Sequence, residues 1–245
     1  MKRVYKLRLA YDGTNYCGWQ RQVKQKTVEG ELIKACEKIF RNPFCVYGAS
    51  RTDSGVHAVG QIASIEVDAD ITPYKLRGAL NAHLPKDIVI QEAEDAEPDF
   101  HARYGTKEKT YIYKIYNNEV PLPQYARDSY YYHKPLEIEK MQEAAAYFLG
   151  EHDFVAFSSL GSSFKTSNRH IYKLNVTKKD GIIEILVNGN GFLYNMVRII
   201  AGTLIWVGTG RIRPEDIPSI IESKERKNTG HTAPALGLTL MEVKY

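Results

Sequence analysis

The amino-acid sequence predicts an α+β protein whose helices pack against a largely antiparallel sheet. Strand, helix and strand periodicities recur in the same order in two halves of the 245 residues, with several strand pairs close enough to form hairpins. The plainest hairpin signal is Asp180–Gly181, set between two alternating segments. No low-complexity stretch separates the halves, so the expected division is residues 1–104 and 105–245 around a joint core.

In the first half, residues 4–10 (VYKLRLA) alternate as a strand and turn at Asp12 and Gly13. Val28, Leu32, Ile33, Ala35, Cys36, Ile39 and Phe40 fall at helical spacing. Residues 44–49 and 61–67 read as strands flanking a glycine-bearing loop. Thr72 caps a helix that opens with Pro73 and runs to His83, and residues 88–93 form a further strand.

The second half starts near Gly105, and TYIYKIY (110–116) is its first strand. Residues 138–149 form an amphipathic helix stopped by Gly150. The small and polar residues 161–169 (GSSFKTSNR) read as a mobile surface loop. Strands at 172–178 and 182–188 flank the Asp180–Gly181 turn. A long, mostly apolar helix follows at 193–207, then a helix initiated by Pro214 and a final strand at 238–243.

Composition narrows the class. A hydrophobic fraction of 43% and a charged fraction of 25% are ordinary for a soluble chain. No apolar run approaches the roughly 20 residues of a membrane span. The N-terminus alternates charge with apolar residues, where a signal peptide has an unbroken apolar stretch. A cytoplasmic protein is expected. Cys17, Cys36 and Cys45 are odd in number and lack CxxC spacing, so they read as reduced thiols rather than a disulfide frame or zinc site.

The net charge of +4 is mild, but its distribution is uneven. Lys2, Arg3, Lys6, Arg8, Arg21, Lys24 and Lys26 crowd the first segment, with Lys107, Lys109 and Lys114 later. Phosphate contact and a merely solvated charge are equally open for any one of the N-terminal cations. The 17 tyrosines, against 8 phenylalanines, offer stacking faces with polar tips. For most of them, half-exposed strand positions are explanation enough.

Residues 47–63 (YGASRTDSGVHAVGQIA) hold the densest chemistry: Arg51, Thr52 and Asp53, followed by Gly55 and His57. A carboxylate on a glycine-bearing loop at a strand edge is well placed to face a substrate. Gly55 permits a tight reversal there. From the residues alone, an Asx-type turn in which Asp53 only caps backbone amides is the stronger reading.

SRTDSGVHA (50–58) resembles the GRTDAGVHA signature of the tRNA pseudouridine synthase A family. YDGTNYCGWQRQ (11–22), LNAHLPKDI (80–88), FHARYGTKEKTYIYKI (100–115), GEHDFVAF (150–157), FLYNMVRIIAG (192–202) and APALGLTL (233–240) resemble further family motifs in the same order. The resemblance spans essentially the whole chain. Two departures fall inside the signature: Ser50 where the family usually has Gly, and Ser54 where it usually has Ala. Both are small, and neither removes a reacting group.

The resemblance implies the pseudouridine synthase fold, with two similar ferredoxin-like halves joined in a mostly antiparallel sheet and helices packed on one face. It implies isomerisation of uridine in the anticodon stem-loop of tRNA, at positions 38 to 40, by a homodimer. The C1′–N1 bond breaks, the uracil rotates, and C5 joins C1′. No metal, redox cofactor or other small-molecule cofactor is required.

Carried over by motif, Asp53 in the first half is the essential aspartate. Attack on C1′, attack on the uracil ring and removal of a sugar proton all remain open to it. Each role needs an ionised carboxylate, and a neighbouring cation depresses an aspartate pKa by about 1–3. Arg198, in the second half, is the family's candidate for that pairing. It interrupts an apolar helix, where an Arg either finds a partner or snorkels to the surface.

Tyr111 matches the active-site tyrosine, whose ring stacks on the detached uracil. Tyr113 shares its strand face, and the motif spacing selects Tyr111. The resemblance implies that Arg51 reaches into the RNA and helps hold the target nucleotide out of its stack, offsetting a flipping cost of a few kcal/mol. His57 either contacts RNA or packs against the loop, and packing is the expectation.

Other readings fare worse. Gly189 and Gly191 after a strand imitate a dinucleotide fingerprint, but Tyr194 takes the third glycine's place and the hairpin makes the strand antiparallel. No GxxxxGK[ST] or HExxH occurs, and His152 with Asp153 is too little for a metal hydrolase. A non-catalytic tRNA-binding or chaperone protein on the same scaffold predicts loss of Asp53, Tyr111 or Arg198. All three are present.

Overall fold

Alternation along the first strand sets the architecture of the first half. In β1 (Lys2–Tyr11), Tyr5, Leu7, Leu9 and Tyr11 are buried, while Lys6 and Arg8 stay partly exposed on the opposite face. The computed structural model describes residues 2–159 and 166–245. Two compact units emerge: Met1–Lys107 with Leu240–Tyr245, and Glu108–Thr239. The single boundary drawn from the sequence after residue 104 leaves the last six residues with the second half. In the structure they count with the first.

In the first unit, α1 (Val28–Ile39) is capped by Thr27, whose side chain accepts from Gly30 N, and buries Val28, Leu32, Ala35 and Cys36. Then come β2 (Phe44–Gly48), β3 (His57–Asp68), α2 (Pro73–His83) and β4 (Ile88–Ala96). Thr72 caps α2 and Pro73 opens it, as expected. The spatial order β4-β1-β3-β2 is antiparallel throughout, the ferredoxin-like arrangement of a β-α-β-β-α-β unit. The two helices pack on each other and reach the sheet at β2 and β4.

β3 starts at His57, four residues before the sequence pattern announced it. Gly60 hid the strand by reading as a loop residue. It belongs to the ladder because β10 (Leu238–Lys244) runs beside β3, and a Cβ at Gly60 would strike the carbonyl of Met241.

The second unit contains β5 (Glu108–Tyr116), β6 (Tyr130–Tyr131), α3 (Ile138–Ala146), β7 (Gly150–Asp153), β8 (Asn168–Lys179), β9 (Ile182–Gly189), α4 (Met196–Gly208) and α5 (Ile217–Ser223). The order β5-β9-β8-β7 is antiparallel, and the two-residue β6 joins β5 in parallel. Asp180 (φ 50°) and Gly181 (φ 79°) both take positive φ, the requirement of a type I′ hairpin turn. The resulting antiparallel β8–β9 pair removes the parallel unit that a dinucleotide site needs.

Other boundaries also differ from those read in the sequence. α3 ends at Ala146 because the next three backbone N–H groups bond three residues back, tightening the chain before Gly150. α4 starts at Met196, not residue 193, because Asn195 is left-handed (φ 62°), a conformation that a right-handed helix does not continue. The segment at 161–169 was read as a mobile loop; residues 161–165 lie outside the described residues, and Asn168 and Arg169 already belong to β8. β6 and β7 had no clear sequence signal, being two and four residues long. No helix among the described residues is long and apolar enough to cross a membrane.

Candidate active site

The Asp53 loop lies between β2 and β3, and residues 11–19 wrap around it. A turn of residues 53–56 is closed by Val56 N donating to Asp53 O at 3.1 Å, with Gly55 at φ 80° in the position that needs positive φ. Trp19 N donates to Thr52 O at 3.0 Å and Gly55 N to Tyr16 O at 3.2 Å. The Thr52 hydroxyl is 2.7 Å from the Tyr11 hydroxyl, in a buried hydrogen bond. Gly18, at φ 83°, lies so near the loop that a Cβ would come 2.5 Å from Thr52 O. Asp53 itself is half-buried and Arg51 is exposed.

The brace continues behind the loop. Val28 N donates to Gly18 O at 3.1 Å and Glu29 N to Trp19 O at 2.9 Å. Those are donors of the first turn of α1, which have no intrahelical acceptor. The helix start and the Asp53 loop thus hold the same short segment from two sides. Trp19 is 1% exposed and fills the space over Gly48, where a Cβ would collide with its ring.

Ser50 and Ser54, the two departures from the family signature, each have a structural place. The fully buried Gln61 side chain accepts from Ser50 N at 3.2 Å and donates to Ser50 O at 2.7 Å, extending the ladder where β2 has ended. The Ser54 hydroxyl donates to Tyr16 O at 3.2 Å, one more tie to the wrapping segment. His57 packs, as expected. It is 7% exposed, and its Nδ1 lies 3.1 Å from Gly13 N, which donates to it, and 3.3 Å from Asp12 Oδ1.

In the second unit, Tyr111 sits in β5 opposite Val187 of β9 and is 7% exposed. Phe192 meets its ring edge-on, centroids 5.4 Å apart at 87°. Tyr113, on the same strand face, is committed elsewhere. Its hydroxyl donates to Pro234 O at 2.9 Å, and burial pushes its pKa far up, although the Arg198 charge opposes that.

Arg198 occupies the first turn of α4 and does not snorkel freely. Its Nε donates to Ala233 O and its Nη1 to Asn195 Oδ1, both at 2.7 Å. Asn195 in turn donates from Nδ2 to Ser159 Oγ at 2.7 Å. Asp53 and Arg51 therefore share one loop of the first unit, while Tyr111 and Arg198 lie on neighbouring elements of the second.

Sequence reasoning missed Tyr11, Gly18, Gln61 and Asn195. Tyr11 and Gly18 stand in a motif that was quoted, but nothing in the sequence says which loop they touch. His152 and Asp153, set aside as a metal pair, are on β7, where Asp153 makes an ion pair with Lys224 at 2.9 Å.

The profile of the family described as tRNA pseudouridine synthase matches residues 9–105 and 144–245. The chain is similar to the tRNA pseudouridine synthase A of Acetivibrio thermocellus, 49% identical over 243 residues, covering 99% of this chain and 100% of the relative. It is 47% identical over 244 residues to that of Ruminiclostridium cellulolyticum, covering 99% and 100%. With the protein of that name from Thermoanaerobacter sp. (strain X514), it shares 46% identity over 235 residues, 96% of each chain. Matched sequence runs through both units and through the braced aspartate loop, and the chain belongs to the tRNA pseudouridine synthase family.

Proposed function

We propose that the chain isomerises uridine to pseudouridine in the anticodon stem-loop of tRNA, at positions 38 to 40, with Asp53 as the catalytic carboxylate. The observation that carries this is the signature SRTDSGVHA on a loop tied at Thr52, Ser54, Gly55 and Val56. A reacting group on a fixed loop loses little freedom when substrate arrives, which is what a positioned catalytic group requires.

The reaction conserves every atom of the nucleotide. The C1′–N1 bond breaks, C5 bonds to C1′, the C5 proton leaves and N1 gains one, so no electron acceptor enters. Asp53 serves as nucleophile or as base toward the sugar. Arg198 is proposed, by motif, as the cation that pairs with it. Tyr111 stacks on the uracil while it is detached and lies on the path of the C5 proton. Arg51, exposed two residues before Asp53, holds the target nucleotide out of its stack.

The working form is proposed to be a homodimer, since one chain of this size offers little surface for a whole tRNA. Light scattering of the purified protein reads this directly, and a monomer at assay concentration removes it.

Asp53→Asn tests the catalytic assignment, because it keeps side-chain shape and removes the charge. Wild type and variant are incubated with unmodified tRNA transcripts and pseudouridine is mapped by site. Wild type converts anticodon-stem uridines, and the variant binds tRNA but converts none. Equal conversion by the variant would move the catalyst elsewhere.

A further inference from the structure

The basic residues of the first segment form two populations, which sequence alone does not separate. Along β1, each cation already has a carboxylate. Lys2 pairs with Glu66 at 2.5 Å, Lys6 with Glu94 at 2.8 Å and Arg8 with Glu92 at 3.4 Å. Arg3 lies 2.6 Å from Asp95 and 3.2 Å from Asp70. These pairs cross the strands of an antiparallel sheet, so the sheet itself supplies the counter-charge.

Arg21, Lys24 and Lys26 differ. They occupy the exposed loop before α1, and none has a carboxylate within ion-pair distance among the described residues. Glu29, the acidic residue closest along the chain, turns its carboxylate onto the backbone N–H of Arg21 at 2.7 Å, not onto the guanidinium. Val23, at the loop's tip, is 89% exposed, and Lys24 is held left-handed at φ 65°.

The loop is nonetheless anchored at its base. Cys17 N donates to Lys26 O at 2.8 Å, Gln22 Nε2 donates to Cys17 O at 3.1 Å, and the Lys26 ammonium lies 4.5 Å from the Tyr16 ring centre. Tyr16 and Cys17 carry this base; Tyr16 also accepts from the Asp53 loop, and Cys17 leads directly into Gly18 and Trp19, which hold that loop from the other side. Three uncompensated cations on a fixed projection, joined through one segment to a loop built for an RNA nucleotide, call for a polyanion.

We infer that Arg21, Lys24 and Lys26 form a phosphate grip for the RNA substrate, while the lysines and arginines of β1 take no direct part in binding it. This rests on the proposed function for the identity of the polyanion. The four β1 cations already sit beside carboxylates, so RNA phosphates would have to compete with those carboxylates to reach them. Among the described residues, the loop cations have no carboxylate to displace.

The test compares two triple variants with the same change in net charge. One carries Arg21→Ala, Lys24→Ala and Lys26→Ala; the other carries Lys2→Ala, Lys6→Ala and Arg8→Ala. Binding of an unmodified tRNA transcript is measured by fluorescence anisotropy at several salt concentrations, alongside pseudouridine formation and thermal unfolding.

Each phosphate contact contributes roughly 0.7–0.9 to the slope of log affinity against log salt. The loop variant is expected to lose about 2–3 from that slope and bind about a hundredfold more weakly at 0.1 M salt, with melting little changed. The β1 variant keeps the wild-type slope although its net charge falls equally.

An unchanged slope in the loop variant, or an equal loss in both variants, overturns the inference. Wild type that binds tRNA with the expected slope pattern yet forms no pseudouridine supports the grip and sinks the catalytic reading instead.

Discussion

Nη1 of Arg198 donates a 2.7 Å hydrogen bond to Oδ1 of Asn195, the left-handed residue that starts α4. The same amide donates from Nδ2 to Ser159 Oγ. Asn195 therefore uses both ends of its side chain while its backbone holds a conformation that few residues other than Gly tolerate. An arginine in the first turn of an apolar helix needs such a holder, since a free guanidinium there would swing toward water.

Two substitutions separate the backbone and side-chain roles of Asn195. Asn195→Gly keeps φ 62° and removes the amide; Asn195→Ala removes the amide and adds left-handed strain of about 1 kcal/mol. Both are expected to lower kcat about tenfold while leaving the tRNA affinity intact, a loss of roughly 1.4 kcal/mol from the transition state. The Ala variant, which adds the backbone strain, should melt earlier than the Gly variant. Steady-state kinetics with unchanged kcat in the Gly variant would show that Arg198 needs no such holder.

Gly18→Ala is expected to disturb the Asp53 loop without touching a reacting group. Its Cβ would lie 2.5 Å from Thr52 O, at a backbone φ of 83° that disfavours any side chain. Strain and overpacking together amount to roughly 2–4 kcal/mol. Chemical denaturation measures the stability. A variant as stable and active as wild type would mean that the wrapping segment does not fix the loop.

Tyr11→Phe and Ser54→Ala each remove one tie to that loop, and their effects should differ. The Tyr11–Thr52 bond is buried, so the Phe variant strands a hydroxyl and loses about 1–2 kcal/mol. Ser54 is exposed, and Ala is the usual family residue there, so its loss stays below about 1 kcal/mol. Paired denaturation curves decide the order, and a larger effect from Ser54→Ala contradicts it.

Asp153 gives the second unit a pH-dependent contribution. Burial pushes its pKa up, but hydrogen bonds from Ser167, Lys224 and the N–H of Val155, with the Lys224 charge, bring it below the ordinary 3.8. A carboxylate with a depressed folded-state pKa stabilises above its unfolded value, and that contribution disappears as pH falls through the folded value. Asp153→Asn should therefore destabilise by roughly 0.5–1 kcal/mol at pH 7. The difference in melting temperature from wild type should shrink below about pH 4. A difference that persists undiminished in acid would assign it to packing.

Much of the architecture was legible in the sequence because its causes are local. Alternation gave β1 and β5, the Asp180–Gly181 pair gave the type I′ turn, and Thr72 with Pro73 gave the start of α2. The errors arose where a distant segment overrode a local signal. Gly60 read as a loop residue because its reason for being Gly, the backbone of β10, lies about 180 residues away. The start of α4 was misplaced because apolar periodicity continues through Asn195 while the backbone does not.

The sequence by itself determined the family, the signature aspartate and the order of strands and helices, since these reside in motifs and short-range periodicity. Only the tertiary structure decided which groups serve that aspartate's loop and which cations already have partners. Hydrogen bonding and charge compensation depend on distances of a few ångströms between residues far apart in the chain. Lys6 and Lys26 look equivalent when read in order. One faces Glu94 across a sheet, whereas the other stands on a projecting loop over the Tyr16 ring.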